Sequence, residues 1–482
     1  MTQTPTQTAA MDLKDPARWW GVGEVVRLSI PGVLNTVSFS VMQFIDGWMV
    51  AKVSPEAMAA QLMGGLVALT LNCLFMGILS CVSTFASQNL GAGQADKAAR
   101  YGWQGLWLAW GVGLAQMLLI PVAGPFLGLF MKDSPQILAL GTSYFQVLVA
   151  GAGLMLTGSA LGAYFLGIHK PMIPLVAGVL GNAANLTWAY ILIFGKFGFP
   201  AMGLMGAAVG TFIGLLVQAA VFMAAFLAGP LAREFQVRRQ WRFSWATTAE
   251  FLRIGIPAGA MFLGDILMWD LFLGRVVGTF GVAHLVASTI LWRYWSLCFL
   301  PALGVGMAAT AIVGRHCGAR RPDLARRRAH AALILVEAYM VGSGAILWIF
   351  RGWLVARFND SGDPLVQSLA ADMFICILLC EAFDAMNVVF ISSLRGAGDT
   401  LVPGIVQIVL AYALGLGGSA LVAHFIPQWG SYGPWGVASA YIIILGLYMW
   451  GRFLRGKWQA MALVEAPLAP IEESSVLPPV RA

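Results

Sequence analysis

Seven ionisable side chains stand inside otherwise apolar runs of this chain: Asp46, Asp265, Asp270, Arg293, Glu337, Glu381 and Asp384. A charge at bilayer depth costs a few kcal/mol or more, so each needs a partner, a route to water or a function. Asp46, in VMQFIDGWMV, has Asn35 and Ser38 up to three turns earlier on roughly the same helix face. A carboxylate beside neutral hydrogen-bonding groups can take up and release a proton; the plainer alternative is an acid near a helix end that reaches the interface. Asp265 falls eight residues beyond Pro257, near the middle of its run, where burial is hard to avoid. Asp384 has Glu381 at i−3 on the same face, so two acids can point into one cavity and share a proton or a cation. The competing reading is a structural ion pair with Arg293. That arginine, in LWRYWSLCF, is permanently charged, and the expectation is that an acid of the same half pairs with it, contact with a substrate anion being the lesser alternative. Asp270 reads as an interfacial residue and Glu337 as one facing a neighbouring helix.

The elements that must hold these groups follow from composition. Of 482 residues, 59% are hydrophobic and only 11% charged, against roughly a quarter in soluble domains. The mean hydropathy is +0.78. A soluble fold could not hide that much apolar surface, so the chain is a polytopic membrane protein. Splitting the apolar runs at Gly, Pro and charge predicts twelve helices: 24–50, 58–88, 99–128, 137–166, 172–194, 203–228, 250–278, 284–312, 328–351, 366–392, 402–425 and 435–453. The first twenty residues lack the apolar core and small-residue site of a cleavable signal. The six Cys lie in or beside apolar runs, which excludes a disulfide-stapled ectodomain. Cys376 and Cys380 read as packing, and no metal site, phosphate loop or catalytic constellation is expected, nor any cofactor or nucleic-acid partner.

Placing both termini on one side leaves only Lys52, Lys132, Lys196, Arg275, Arg351 and Arg357 of the 29 Lys and Arg on the other, with Arg293 inside a helix. The positive-inside rule then puts both termini in the cytoplasm. At an offset of about 227 residues, SQNLGAGQADKAAR (87–100) matches GRHCGARRPDLARR (314–327), and RLSIP (27–31) matches RIGIP (253–257). The expected organisation is a cytoplasmic tail (1–23), a six-helix bundle (24–230), a basic linker (231–248), a second six-helix bundle of the same orientation (249–453) and a disordered cytoplasmic tail (454–482). Parallel repeats of this kind are typical of alternating-access carriers.

The chain resembles the multidrug and toxic compound extrusion (MATE) transporters from about 24 to 453, most closely their bacterial NorM-type branch. The matching stretches are FIDGWMVAKVSPEAMAA (44–60), the loops around Gly91-Ala92 and Gly318-Ala319, GKFGFPAMGLMGAAVG (195–210) and DAMNVVFISSLRGAGDT (384–400). The resemblance implies two bundles in a V and export of small organic, cationic or aromatic compounds. Inward proton or sodium flow through a monomer in the bacterial inner membrane would drive it. The family's functional acids fall on Asp46, Asp265 and Asp384, where Asp265 replaces the Glu common in the seventh helix. A fifth-helix Asn of the first-bundle site falls on Asn185 and its usual companion on Ala189, leaving Asn182 as a substitute. Arg293 departs from the family pattern and keeps open the alternative of an anionic or lipid-linked substrate.

Overall fold

The computed structural model describes residues 21–129, 135–358, 363–461 and 463–464, and among them every regular element is helical. The helices are α1 (Val22–Ala51), α2 (Pro55–Ser80), α3 (Val82–Gly91), α4 (Ala95–Met117), α5 (Ala123–Gly128), α6 (Pro135–Ala150), α7 (Ala152–Gly167), α8 (Met172–Phe194), α9 (Leu204–Leu227), α10 (Gly229–Glu234), α11 (Trp245–Leu271), α12 (Val282–Gly318), α13 (Pro322–Ala356), α14 (Pro364–Ala397), α15 (Leu401–Leu410), α16 (Ser419–Phe425) and α17 (Tyr432–Leu454). Among the described residues, ten stretches are long and apolar enough to cross a membrane. The bent pair α6 and α7, kinked by 45°, makes an eleventh. With α4, each of the twelve expected spans coincides with helix.

Local chemistry sets the ends. Ser54 accepts the Ala57 N–H at 3.0 Å with Pro55 in the first turn of α2. Asp363 accepts the Leu365 N–H at 2.8 Å ahead of Pro364. Three expected spans are interrupted: 58–88 breaks at Cys81, 99–128 at the turn around Pro121, and 137–166 at Gly151. Two stretches, Phe272–Val276 and Ala411–Gly418, wind as π-helix, a form concentrated at functional sites.

The chain divides into two compact units, Leu34–Ala86 with Gln94–Gly259, and the described residues of 1–33, Ser87–Gly93 and 260–482. In the first unit α8 and α9 approach closely because Gly206, Gly210 and Gly214 face Leu192, Ala189 and Asn185. In the second, Trp269, Phe272, Trp295 and Trp435 form an aromatic cluster among α11, the π-helical turn that follows it, α12 and α17.

The repeat reappears as packing. Within the second unit, a Cβ on Gly91 would meet the Arg315 carbonyl, and one on Gly318 would meet the Gln88 carbonyl. Positions 88 and 315, like 91 and 318, are one repeat offset apart, so the two matched loops grip each other reciprocally. The side chain of Gln88 donates to the Gly396 carbonyl at 2.9 Å and accepts the Leu463 N–H at 3.3 Å.

The tail departs from expectation at its start. Residues Lys457–Ala460 form a 3-10 turn in which Trp458 is buried and stacks on Phe453 at 4.8 Å, because its indole N–H finds the Phe453 carbonyl. The remainder of the expected tails, 1–20, 462 and 465–482, and Lys132 lie outside the described residues.

Candidate functional site

In the first unit, Asp46 on α1 is 3% exposed. Its Oδ2 accepts the Gln61 side-chain N–H from α2 at 2.7 Å, and Oδ1 has no hydrogen-bond partner. Tyr144 of α6 is buried against the same Gln61 and within the field of Asp46. The asparagines form separate contacts. Asn35 lays its amide oxygen on Gly178 of α8. Asn182 donates to Ser38 at 2.9 Å, and Asn185 donates to Thr211 of α9 at 3.1 Å with its own oxygen unpartnered. The hydrogen bond of Asp46 therefore runs to α2, while that of Asn185 runs to α9. Gly210 has to lack a side chain, since a Cβ on it would lie 2.8 Å from that of Ala189.

In the second unit, Asp265 (α11) and Asp384 (α14) are electrostatic neighbours, with the buried ring of Tyr441 (α17) beside both. Gln407, just before the π-helical stretch, reaches Asp265 at 3.5 Å, and Tyr412 within that stretch donates to the Gly264 carbonyl at 3.2 Å. Asp384 is 5% exposed and within hydrogen-bonding reach of Asn387 and Trp295. Glu381, one turn earlier, is fully buried, and neither carboxylate oxygen has a partner. Its chain packs 3.0 Å from the Cβ position of Gly344 on α13, which only glycine leaves open.

The ion pairs among the described residues join Glu24 with Arg328 and His316, Arg321 with Asp323, and Arg452 with Asp399. None includes a buried acid of the spans. These carboxyls are matched only by amides, indole and phenol, a setting that can receive a proton or a small cation without displacing a built-in counter-charge. No three His, Cys, Asp or Glu side chains among the described residues are arranged to hold a metal ion.

Arg293 corrects the expectation of an ion pair. Its side chain is exposed and its guanidinium lies over the Phe358 ring at 5.6 Å. The reason is its level against the neighbouring helix: Arg293 sits level with the end of α13, where Tyr294 donates to the Leu354 carbonyl. Asp270 is exposed and Glu337 half-buried.

Sequence reasoning missed Gln61, Tyr144, Gln407, Tyr441, Asn387 and Trp295. The amides carried a usable signal, since an uncharged amide in an apolar span also needs a partner.

Against known proteins, the family model described as MatE matches residues 31–191 and 257–421. A probable multidrug resistance protein NorM of Pseudomonas putida is 25% identical over 435 residues, covering 88% of this chain and 94% of the relative. The multidrug resistance protein MdtK of Edwardsiella ictaluri is 25% identical over 443 residues, 90% of this chain and 96% of the relative. Among solved structures, a MOP superfamily transporter from Pyrococcus furiosus superposes with a TM-score of 0.83 at 20% identity, covering 91% of this chain and 96% of that one. A MATE structure in the bent conformation gives 0.82 at 21% identity, over 96% and 100%.

Proposed function

The chain belongs to the MatE family, and from that premise we propose that it is a secondary active multidrug exporter that antiports small organic, cationic or aromatic compounds against protons or sodium. We place it in the inner membrane of a bacterium, with both termini cytoplasmic and six-helix halves at 24–230 and 249–453 joined by the linker 231–248. It works as a monomer without a resident cofactor.

The observation that carries the reading is a set of carboxyls within the spans, Asp46 and Asp384 buried and Asp265 half-buried, each with a neutral hydrogen-bonding partner. An empty, ionised carboxylate in such a place costs several kcal/mol; a proton or sodium ion removes that cost. A conformer that buries these acids is therefore favoured when the ion is bound, and one that hydrates them when it is not. A cationic substrate gains from the ionised acids and loses that gain when the ion arrives, so each weakens the other by the same factor. Glu381, Asn35, Asn182 and Asn185 support the acids by shaping their surroundings, and Arg293 stands apart from them.

The test is export of a fluorescent organic cation from proteoliposomes, with a pH gradient and a sodium gradient imposed separately, for the native protein and Asp384→Asn. Export that depends on one gradient and is lost in the variant supports antiport and names the ion. No export under either gradient, with the protein folded, moves the reading to an anionic or lipid-linked substrate.

A further inference from the structure

The segment that joins the two sequence repeats is more than a tether. From Gly229 to Trp245 it is pinned onto the first unit by bonds that use its backbone. Trp103 of α4 donates its indole N–H to the Val237 carbonyl at 2.9 Å, and Trp107, one turn on, donates to the Trp241 carbonyl at 2.9 Å. Gln104, fully buried between them, donates to the Arg242 carbonyl at 3.1 Å and accepts from the Ser244 N–H at 3.2 Å and the Thr248 hydroxyl at 3.0 Å. A loop that only had to span a gap would need none of these. Because carbonyls and one amide N–H carry much of the attachment, Phe235 and Val237 being buried as well, most side chains from Arg238 onward are left to face outward, with Arg238 donating its Nε to the Leu227 carbonyl at 2.8 Å and keeping its two terminal amino groups. Arg238, Arg239 and Arg242 are exposed, as are Trp241, Phe243 and Trp245, the last 73% exposed and its ring 5.4 Å from that of Phe243. The nearby Glu250 is engaged by the Tyr101 hydroxyl at 2.9 Å.

Exposed indole and phenyl rings are costly in water and favourable at the boundary between headgroups and acyl chains, where guanidinium groups meet lipid phosphates. The bidentate fork of arginine suits a phosphodiester. From this juxtaposition we propose that the linker is a preformed platform that binds the headgroups of anionic phospholipids, aromatic rings inserted and Arg238, Arg239 and Arg242 on the phosphates. The ordering cost is already met by the α4 contacts, so binding needs no folding of the loop. The inference rests on the membrane reading of the chain but not on antiport, and it survives if the acids prove uncoupled.

The test uses the full chain in phosphatidylcholine nanodiscs with and without phosphatidylglycerol, with retained lipid counted by native mass spectrometry as a function of added phosphatidylglycerol. At about 1 kcal/mol for each basic side chain near an anionic surface, Arg238→Ala/Arg239→Ala/Arg242→Ala should weaken retention on the order of 100-fold. The three Arg→Lys changes should keep most of it, and added salt should reduce it in the native protein. Arg320→Ala/Arg326→Ala, exposed bases elsewhere in the chain, should leave it unchanged. The proposal is overturned if the triple alanine variant retains phosphatidylglycerol like the native protein. It is equally overturned if the native protein does not prefer phosphatidylglycerol to phosphatidylcholine, or if the Arg320/Arg326 variant loses as much.

Discussion

Replacing Asp384 with Asn probes the coupling with the least change of shape. The side chain is 5% exposed, and the amide keeps an oxygen for donors from Trp295 and Asn387. What the substitution removes is the charge. On insertion scales an acid at the centre of a span costs about 2.5–3.5 kcal/mol, so about 3 kcal/mol is the swing that ion binding at Asp384 can hand to the rest of the cycle. At about 1.4 kcal/mol per tenfold, that is roughly a hundredfold change in substrate affinity between ion-free and ion-loaded protein. Substrate binding followed by fluorescence anisotropy in nanodiscs, across proton and sodium concentrations, should show that span in the native protein. In Asp384→Asn it should shrink to a few-fold. Thermal stability should be unchanged or higher, since a neutral isostere replaces a buried acid whose neighbours supply no counter-charge. An Asp384→Asn protein that keeps the full ion dependence of binding would refute the reasoning, and one that unfolds would assign Asp384 a structural role.

Other perturbations test the framework. Gln61→Leu deprives Asp46 of its hydrogen-bonding partner and should cost about 1–3 kcal/mol in thermal unfolding; a neutral result would mean the 2.7 Å contact is not held. Gly91→Val and Gly318→Val each drive a side chain into a backbone carbonyl that no rotamer change can clear. Both should destabilise by about 1–3 kcal/mol and to a similar degree, and a large asymmetry in melting temperature would contradict the reciprocal contact of the repeats. Arg328→Met breaks the pair with Glu24, whose partner arginine side chain is only 4% exposed. A loss of about 2–4 kcal/mol, partly restored by adding Glu24→Leu, is expected in a double-mutant cycle, whereas simple additivity would argue against the pairing.

The helices were legible because a bilayer demands long apolar runs, and the repeat because two loops kept the same glycines. The acids were legible because a lone charge in such a run is costly. Their partners were not. Gln61 is fifteen residues from Asp46 on another helix, and nothing in a single sequence says which faces meet. Arg293 was misplaced for a related reason. Its level on α12 could be found only from the neighbouring helix, because Tyr294 meets the Leu354 carbonyl and Arg293 the Phe358 ring at the end of α13. The linker showed its charge in the sequence, but its anchorage depended on Trp103 and Trp107, which read as apolar bulk until their N–H groups were seen to have targets. The π-helical stretch beside Gln407 had no sequence signal beyond its glycines.

The central claim, obligatory exchange, is tested most directly by imposing only a substrate gradient across sealed proteoliposomes with equal pH and sodium on both sides, and recording proton and sodium movement with trapped indicators. The account requires one of the two ions to move against the substrate, and that movement to vanish in Asp384→Asn. Substrate that equilibrates across the membrane with neither ion moving would contradict it.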